Sequence, residues 1–181
     1  MILILGIILF FRDPERKIEL SDKIILSPAD GRITEIALLE NHSNFSGPII
    51  RVSIYLSFLN AHINRSPVSG FVKDIQYSPG NFFAAYKEKA FRQNENNLIT
   101  IDNQGFVILV RQIAGRFARR IVCRCVQGGR LEQGQRIGMI QFGSGVEIYV
   151  PDSVDLKVSV GQKVKAGETT IAVLKKEMNA S

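Results

Sequence analysis

Tryptophan is absent from this sequence, and histidine and cysteine occur only twice each. With no Trp and four Tyr, it lacks the aromatic interleaving of a single-strand nucleic-acid binder. The net charge of +6 therefore points to an anionic membrane surface and not to nucleic acid. Cys123 and Cys125 stand two apart on an expected strand and so share one face. That spacing closes neither a metal site nor a disulfide framework, so two reduced, packed thiols and no metal are expected. Also missing is an apolar run long enough to cross a bilayer. Met1–Phe11 (MILILGIILFF) would reach about 16 Å as a helix, against a hydrocarbon core of about 30 Å. No basic residue precedes this run and no small-residue cleavage site follows it, which excludes a secretory signal. The charged, proline-broken stretch Arg12–Lys17 ends it. Residues 1–17 thus read as a short membrane-surface anchor, or the remnant of a longer span with its basic end on the cytoplasmic side. The alternative is a buried first strand or helix.

A hydrophobic content of 45% with 22% charged residues describes a folded chain, and 181 residues suffice for one domain, taken as 18–181. Ile50, Val52, Ile54 and Leu56 alternate with Arg51, Ser53 and Tyr55, the period of a half-buried strand. Residues 106–113, 120–126, 137–142, 146–150, 154–160 and 169–174 read as further strands separated by Gly, Asn or Pro. The one helical segment is Phe82–Phe91, where Phe82, Tyr86 and Ala90 share a face. A weak repeat is also present: Ser27–Ile36 and Ser66–Ile75 both read S-P-x-x-G-x-[IV]-x-[ED]-I. Gly161–Gly167 looks like the hairpin of lipoyl- and biotinyl-type domains. The expected fold is mainly β, α+β at most: a flattened β-barrel or sandwich with lipoyl-like hairpins and one short helix.

Chemistry near pH 7 that needs a base has two candidates, His42 and His62. His42 lies in a polar loop and reads as a solvated surface residue. His62 follows a buried-type strand, where a histidine is either structural or catalytic. Asp30 stands in the first repeat where the second has Ser69, as a turn cap before Gly31 or as a functional carboxylate. Two apolar runs, Ile137–Phe142 and Val146–Val150, flank Gly143-Ser144-Gly145. That tripeptide is either a hairpin turn or a serine hydroxyl beside an accessible peptide bond.

Several stretches in one order are more specific than any alone. Phe10–Arg16, Ser27-Pro28-Ala29-Asp30-Gly31, His62–Pro67, Ile113-Ala114-Gly115 with Ala118–Ile121, and Phe142-Gly143-Ser144 together resemble phosphatidylserine decarboxylase proenzymes of the short form. The likeness covers most of the chain. Asn60 stands where the family often has aspartate, Asn96 where it has arginine, and Gly145 where arginine follows the serine.

The resemblance implies a self-processing enzyme cut between Gly143 and Ser144 into chains 1–143 and 144–181, which stay associated non-covalently. Ser144 would attack the Gly143 carbonyl, and elimination and hydrolysis would leave a pyruvoyl group at residue 144, the only cofactor. His62 would be the base and Asp30 its orienting partner within hydrogen-bond reach. The pyruvoyl group would form a Schiff base with phosphatidylserine and act as electron sink for its decarboxylation to phosphatidylethanolamine. That role suits a chain with no phosphate-cradling glycine loop. Arg116, Arg119, Arg120 and Arg124 either attract anionic lipid or form a solvated strand face. The implied location is the cytoplasmic side of the cell membrane, bound peripherally, with a homodimer left open. Two rivals remain: a serine hydrolase using Asp30, His62 and Ser144, and a non-catalytic lipoyl-like membrane-binding module. The first lacks a G-x-S-x-G elbow, and the second lacks an evident carrier lysine.

Overall fold

The computed structural model of the chain describes residues 10–81, 93–115, 120–141 and 144–175, with Ser144 described in its backbone alone. The segment expected to be a helix, Phe82–Phe91, lies outside these residues. Described regular structure is almost entirely strand. In chain order the strands are β1 (Ile24–Leu26), β2 (Gly31–Leu39), β3 (Ile49–Leu56), β4 (Ile63–Arg65), β5 (Gly70–Ser78), β6 (Asn96–Asn103) and β7 (Phe106–Ile113). They continue as β8 (Ile121–Cys123), β9 (Arg130–Leu131), β10 (Arg136–Ile140), β11 (Ser144–Pro151), β12 (Val154–Leu156), β13 (Lys163–Val164) and β14 (Thr170–Leu174).

Eight of them form one sheet in the order β13-β2-β3-β11-β7-β6-β5-β9. Two small sheets, β1-β14-β12 and β4-β10-β8, complete the fold. The alternation read in β3 holds: Val52, Ile54 and Leu56 are fully buried and pack with Val146, Ile148 and Val110 into the main core. Two expected strands are shorter than their alternation suggested. β12 stops at Leu156 and β8 at Cys123.

The sequence repeat is a repeat of structure. Ser27 Oγ donates to the Ala29 carbonyl at 2.8 Å, and Ser66 Oγ to the Val68 carbonyl at 2.7 Å. Each proline-started turn then releases a strand, β2 at Gly31 and β5 at Gly70. A Cβ at Gly31 would sit 2.3 Å from the Tyr55 carbonyl oxygen, and one at Gly70 would sit 2.5 Å from that of Asp102. Both positions need glycine because a partner strand's backbone fills the space a side chain would take. The two turns also bind each other, Leu26 N–H to the Pro67 carbonyl and Arg65 N–H to the Pro28 carbonyl, each at 3.0 Å. The hairpin read at Gly161–Gly167 supplies β13, which pairs with the start of β2. A second hairpin over Gly128–Gly134 supplies β9, which pairs with the start of β5 in the same way. This counterpart was not read from the sequence.

For the site, the decisive pairing is that of β11. It lies between β3 and β7, with Ser144 opposite Leu56 and Val146 opposite Gln112. Its first residue thus meets the last residue of β3, beyond which the chain turns toward His62.

Candidate active site

The turn after β3 is held by Asn60. Its Oδ1 accepts from the Ser57 N–H at 2.8 Å and from the Ser57 hydroxyl at 2.7 Å, while its own N–H donates to the Ser57 carbonyl at 3.0 Å. An aspartate carboxylate would accept the same two bonds, so this departure from the family pattern leaves the turn intact. The Asn60 carbonyl then lies 2.8 Å from His62 Nδ1. A carbonyl only accepts, so Nδ1 carries the proton and Nε2 is left with a bare lone pair. Among the described residues no hydrogen-bond partner meets that Nε2.

His62 is completely buried. The Phe10 ring, itself buried, covers it with centroids 4.1 Å apart and planes at 33°. Burial pushes the imidazole down to about 4; the Asn60 carbonyl opposes the shift, the Arg12 charge adds to it, and the Asp30 charge weakly opposes it. At neutral pH the residue is therefore an uncharged base whose buried Nε2 lone pair has no partner among the described residues. Its carbonyl accepts from the Ile140 N–H at 3.3 Å, and only Gln141–Gly143 separate Ile140 from Ser144. The histidine and the first residue of β11 thus lie at the same end of the large sheet. Phe142 and Gly143 fall outside the described residues.

Asp30 is not bonded to His62, contrary to expectation. Arg16 Nη2 donates to both its oxygens, at 2.8 and 2.7 Å, and the Ala166 N–H donates to Oδ1 at 2.8 Å. With those oxygens engaged and Nδ1 taken by a backbone carbonyl, neither group has the partner assigned to it. The influence of Asp30 on His62 is that of a nearby charge. Its main structural role is to hold Arg16, whose side chain is nearly buried.

Arg16 belongs to a strap formed by residues 10–17, which is bonded to residues 30, 59 and 65. Arg12 Nη2 donates to the Leu59 carbonyl at 2.6 Å, and Asp13 Oδ1 accepts from Arg65 Nη2 at 2.9 Å while its Oδ2 pairs with Arg136. The Phe10 cover and the Arg16–Asp30 pair went unread because an apolar run ended by charges has the pattern of an anchor.

His42 lies elsewhere and is half-buried. It is packed between Phe45 and Tyr149, at centroid distances of 5.7 and 5.3 Å, on the outer side of the large sheet. Of the arginines, Arg120 and Arg124 are exposed, while Arg116 and Arg119 lie outside the described residues. Asn96 accepts from Arg111 Nε at 3.0 Å and donates to the Asn94 carbonyl at 3.0 Å, and Gly145 takes an ordinary ladder position between Tyr55 and Ile113. Among the described residues no group of three or more His, Cys, Asp or Glu could hold a metal.

Fold and site define a class: a mainly β protein with a serine position and a dry, uncharged histidine at one end of its central sheet. The family model described as phosphatidylserine decarboxylase matches residues 5–172. A phosphatidylserine decarboxylase proenzyme of Syntrophus aciditrophicus is 45% identical over 163 residues, covering 90% of this chain and 76% of that protein. One from Ehrlichia canis is 44% identical over 170 residues, with 93% and 75% covered, and one from Carboxydothermus hydrogenoformans is 42% identical over 175, with 96% and 82% covered. The chain belongs to the phosphatidylserine decarboxylase family.

The Arg16–Asp30 pair yields a prediction at odds with a purely catalytic Asp30. Asp30→Asn leaves the nearly buried Arg16 guanidinium with the longer pair to Glu168, at 3.8 Å, and breaking a buried pair costs about 3 kcal/mol or more. The variant should melt well below the parent chain by circular dichroism. An unchanged melting temperature with impaired chain cleavage would instead assign Asp30 to the chemistry alone.

Proposed function

We propose that this chain is a proenzyme that cuts itself between Gly143 and Ser144 and, as the two-chain enzyme, converts phosphatidylserine to phosphatidylethanolamine. The observation that carries the reading is the neutral, buried His62, its bare Nε2 at the sheet end where Ser144 opens β11. A serine hydroxyl is a weak nucleophile and needs a base that is unprotonated and unoccupied.

In maturation, Nε2 takes the hydroxyl proton as Ser144 Oγ adds to the Gly143 carbonyl. The amide nitrogen leaves as an amine, giving an ester. Loss of the Ser144 α-proton expels the Gly143 carboxylate and leaves dehydroalanine, which water converts to a pyruvoyl group with release of ammonia. The residues present fit that group: a buried imidazole nitrogen without a hydrogen-bond partner among the described residues. When formed, the pyruvoyl group supplies a carbonyl that takes up the amine of the substrate and draws off the electron pair left by carbon dioxide. His62 holds or returns a proton at Nε2, and Phe10 excludes water from its ring.

The topology favours two chains that stay together after the cut. β11 would be hydrogen-bonded on both sides to strands of the larger chain, and β14 likewise pairs with β1. A peripheral position on the cytoplasmic face of the membrane completes the proposal. Phe11, Phe58 and Leu59 are 42%, 49% and 72% exposed, and Leu59 lies on the turn that leads to His62. These apolar tips continue the run Met1–Phe11 and would bring a lipid headgroup to the histidine.

Two measurements test this. Intact mass of the parent chain should show fragments 1–143 and 144–181, the smaller with a terminus that lacks an amine. Ser144→Ala should remain a single chain of near-parental stability without decarboxylase activity, because alanine can neither attack nor become a pyruvoyl group; decarboxylation by Ser144→Ala would sink the assignment. Ser144→Cys separates the steps: cleavage without pyruvoyl formation is expected.

Deletion of residues 1–9, which spares Phe10, should leave cleavage intact and shift the protein from the membrane to the soluble fraction at high salt. Cutting through Phe11 should impair cleavage as well, because it uncovers His62. A protein without residues 1–9 that still sediments with membranes at high salt would contradict the anchor.

A further inference from the structure

His62 Nε2 is not the only buried polar atom in this region without a partner. Asn64 is also fully buried, and its Nδ2 meets no acceptor among the described residues. The two residues stand two apart in the extended segment entering β4, so their side chains leave the same face. One of the unmet atoms is an acceptor and the other a donor. Buried groups of this kind are rare in folded proteins, and two side by side need a reason.

The orientation of the Asn64 amide is set by a chain of amides. Asn97 Nδ2 donates to Gln112 Oε1 at 3.1 Å, which leaves Gln112 Nε2 to donate to Asn64 Oδ1 at 2.9 Å. All three are buried. With its oxygen held by Gln112 Nε2, Asn64 presents Nδ2 away from Gln112. Gly138 faces Asn64 across the β10–β4 pair, and a Cβ there would come within 2.8 Å of Gln112 Nε2. A side chain at 138 would displace the group that sets the orientation.

The network also lies at the reacting end of the sheet. Gln112 is the cross-strand partner of Val146, and His62 is bonded through its carbonyl to Ile140. The span between those two residues contains Ser144.

We infer that Asn64 is a further catalytic residue of this site, donating from Nδ2 to an oxygen of the reacting group at position 144 while His62 accepts a proton from it. Gln112 is the positioning residue that aims it. This rests on the self-processing reading above and adds a second contact to it. A hydroxyl, one donor with two acceptor lone pairs, complements such a donor–acceptor couple. The hydroxyl oxygen leaves with the Gly143 carboxylate, and the same donor would then serve the carbonyl oxygen that water supplies at position 144, polarising that carbonyl toward an amine. Preorganised donors of this kind are worth about a hundredfold or more in rate.

Two isosteric variants of the full chain test the inference, with conversion of precursor to two chains followed by intact mass. Asn64→Asp keeps an oxygen for Gln112 Nε2 and exchanges only the unpartnered atom. Gln112→Glu leaves Asn64 untouched but presents an acceptor to it, so the Asn64 amide turns over and withdraws its donor. Each should slow conversion by about a hundredfold. Each should also regain rate relative to the parent between pH 8 and pH 6, because a protonated carboxyl at either position restores a donor; a merely structural role gives no such recovery. His62, near 4, stays neutral over that range, and the other charges acting on it, Arg12 and Asp30, are common to parent and variants. Melting temperatures identify a variant that fails to fold, and the other then decides. Parental conversion rates in a folded Asn64→Asp or Gln112→Glu, or a deficit that does not respond to pH, would overturn the role of Asn64. Failure of the parent chain itself to convert would overturn the self-processing reading instead.

Discussion

Everything at this site depends on keeping a proton off His62. A histidine lowered from 6.5 to about 4 disfavours its charged form by about 3 kcal/mol, and the cause is first of all burial. The ring is dry because Phe10 lies on one face of it, and it is held by the carbonyl of Asn60. The same burial sets a pH dependence of stability. Below pH 6.5 the unfolded chain binds a proton that the folded chain refuses until about pH 4. Acidification through that window therefore removes stability, and raising the pH restores it. The fold tolerates this because the same burial leaves a base ready at neutral pH.

The strap that covers the ring gives the amino-terminal stretch two roles. Its described part is bound at four points: Phe10 on His62, Arg12 on the Leu59 carbonyl, Asp13 on Arg65 and Arg136, and Arg16 on Asp30. Segments near both halves of the internal repeat are thereby tied to one short piece of chain, which also leads into the apolar run proposed to reach the membrane. Whatever moves that run acts on the cover of His62.

Much of the fold was legible because it rests on periodicity. Alternation located β3, the β-branched runs located β7 and β11, and the two S-P-x-x-G segments became equivalent turns feeding β2 and β5. The hairpin at Gly128–Gly134 escaped because its strand is only Arg130–Leu131, too short to show a period. At the site, sequence could name His62 and Asp30 but not their partners. The group that orients His62 is a backbone carbonyl, which every residue possesses, and the ion-pair partner of Asp30 comes from a stretch whose charges read as the end of an anchor. Glu147 shows the same limit on the other side of the sheet. It stands inside a run read as apolar, yet it is fully buried between Arg51 and Arg111 and accepts from the Tyr149 hydroxyl at 2.6 Å.

The claim that a buried, neutral His62 is the base is tested most directly by its own titration. The chain contains only His42 and His62, so nitrogen-detected NMR of the imidazoles can follow both from pH 8 to pH 3.5. His62 should hold its proton on Nδ1 with Nε2 bare across the neutral range and should take a second proton only near pH 4. A midpoint near the ordinary 6.5, or a neutral form protonated at Nε2, would contradict the account.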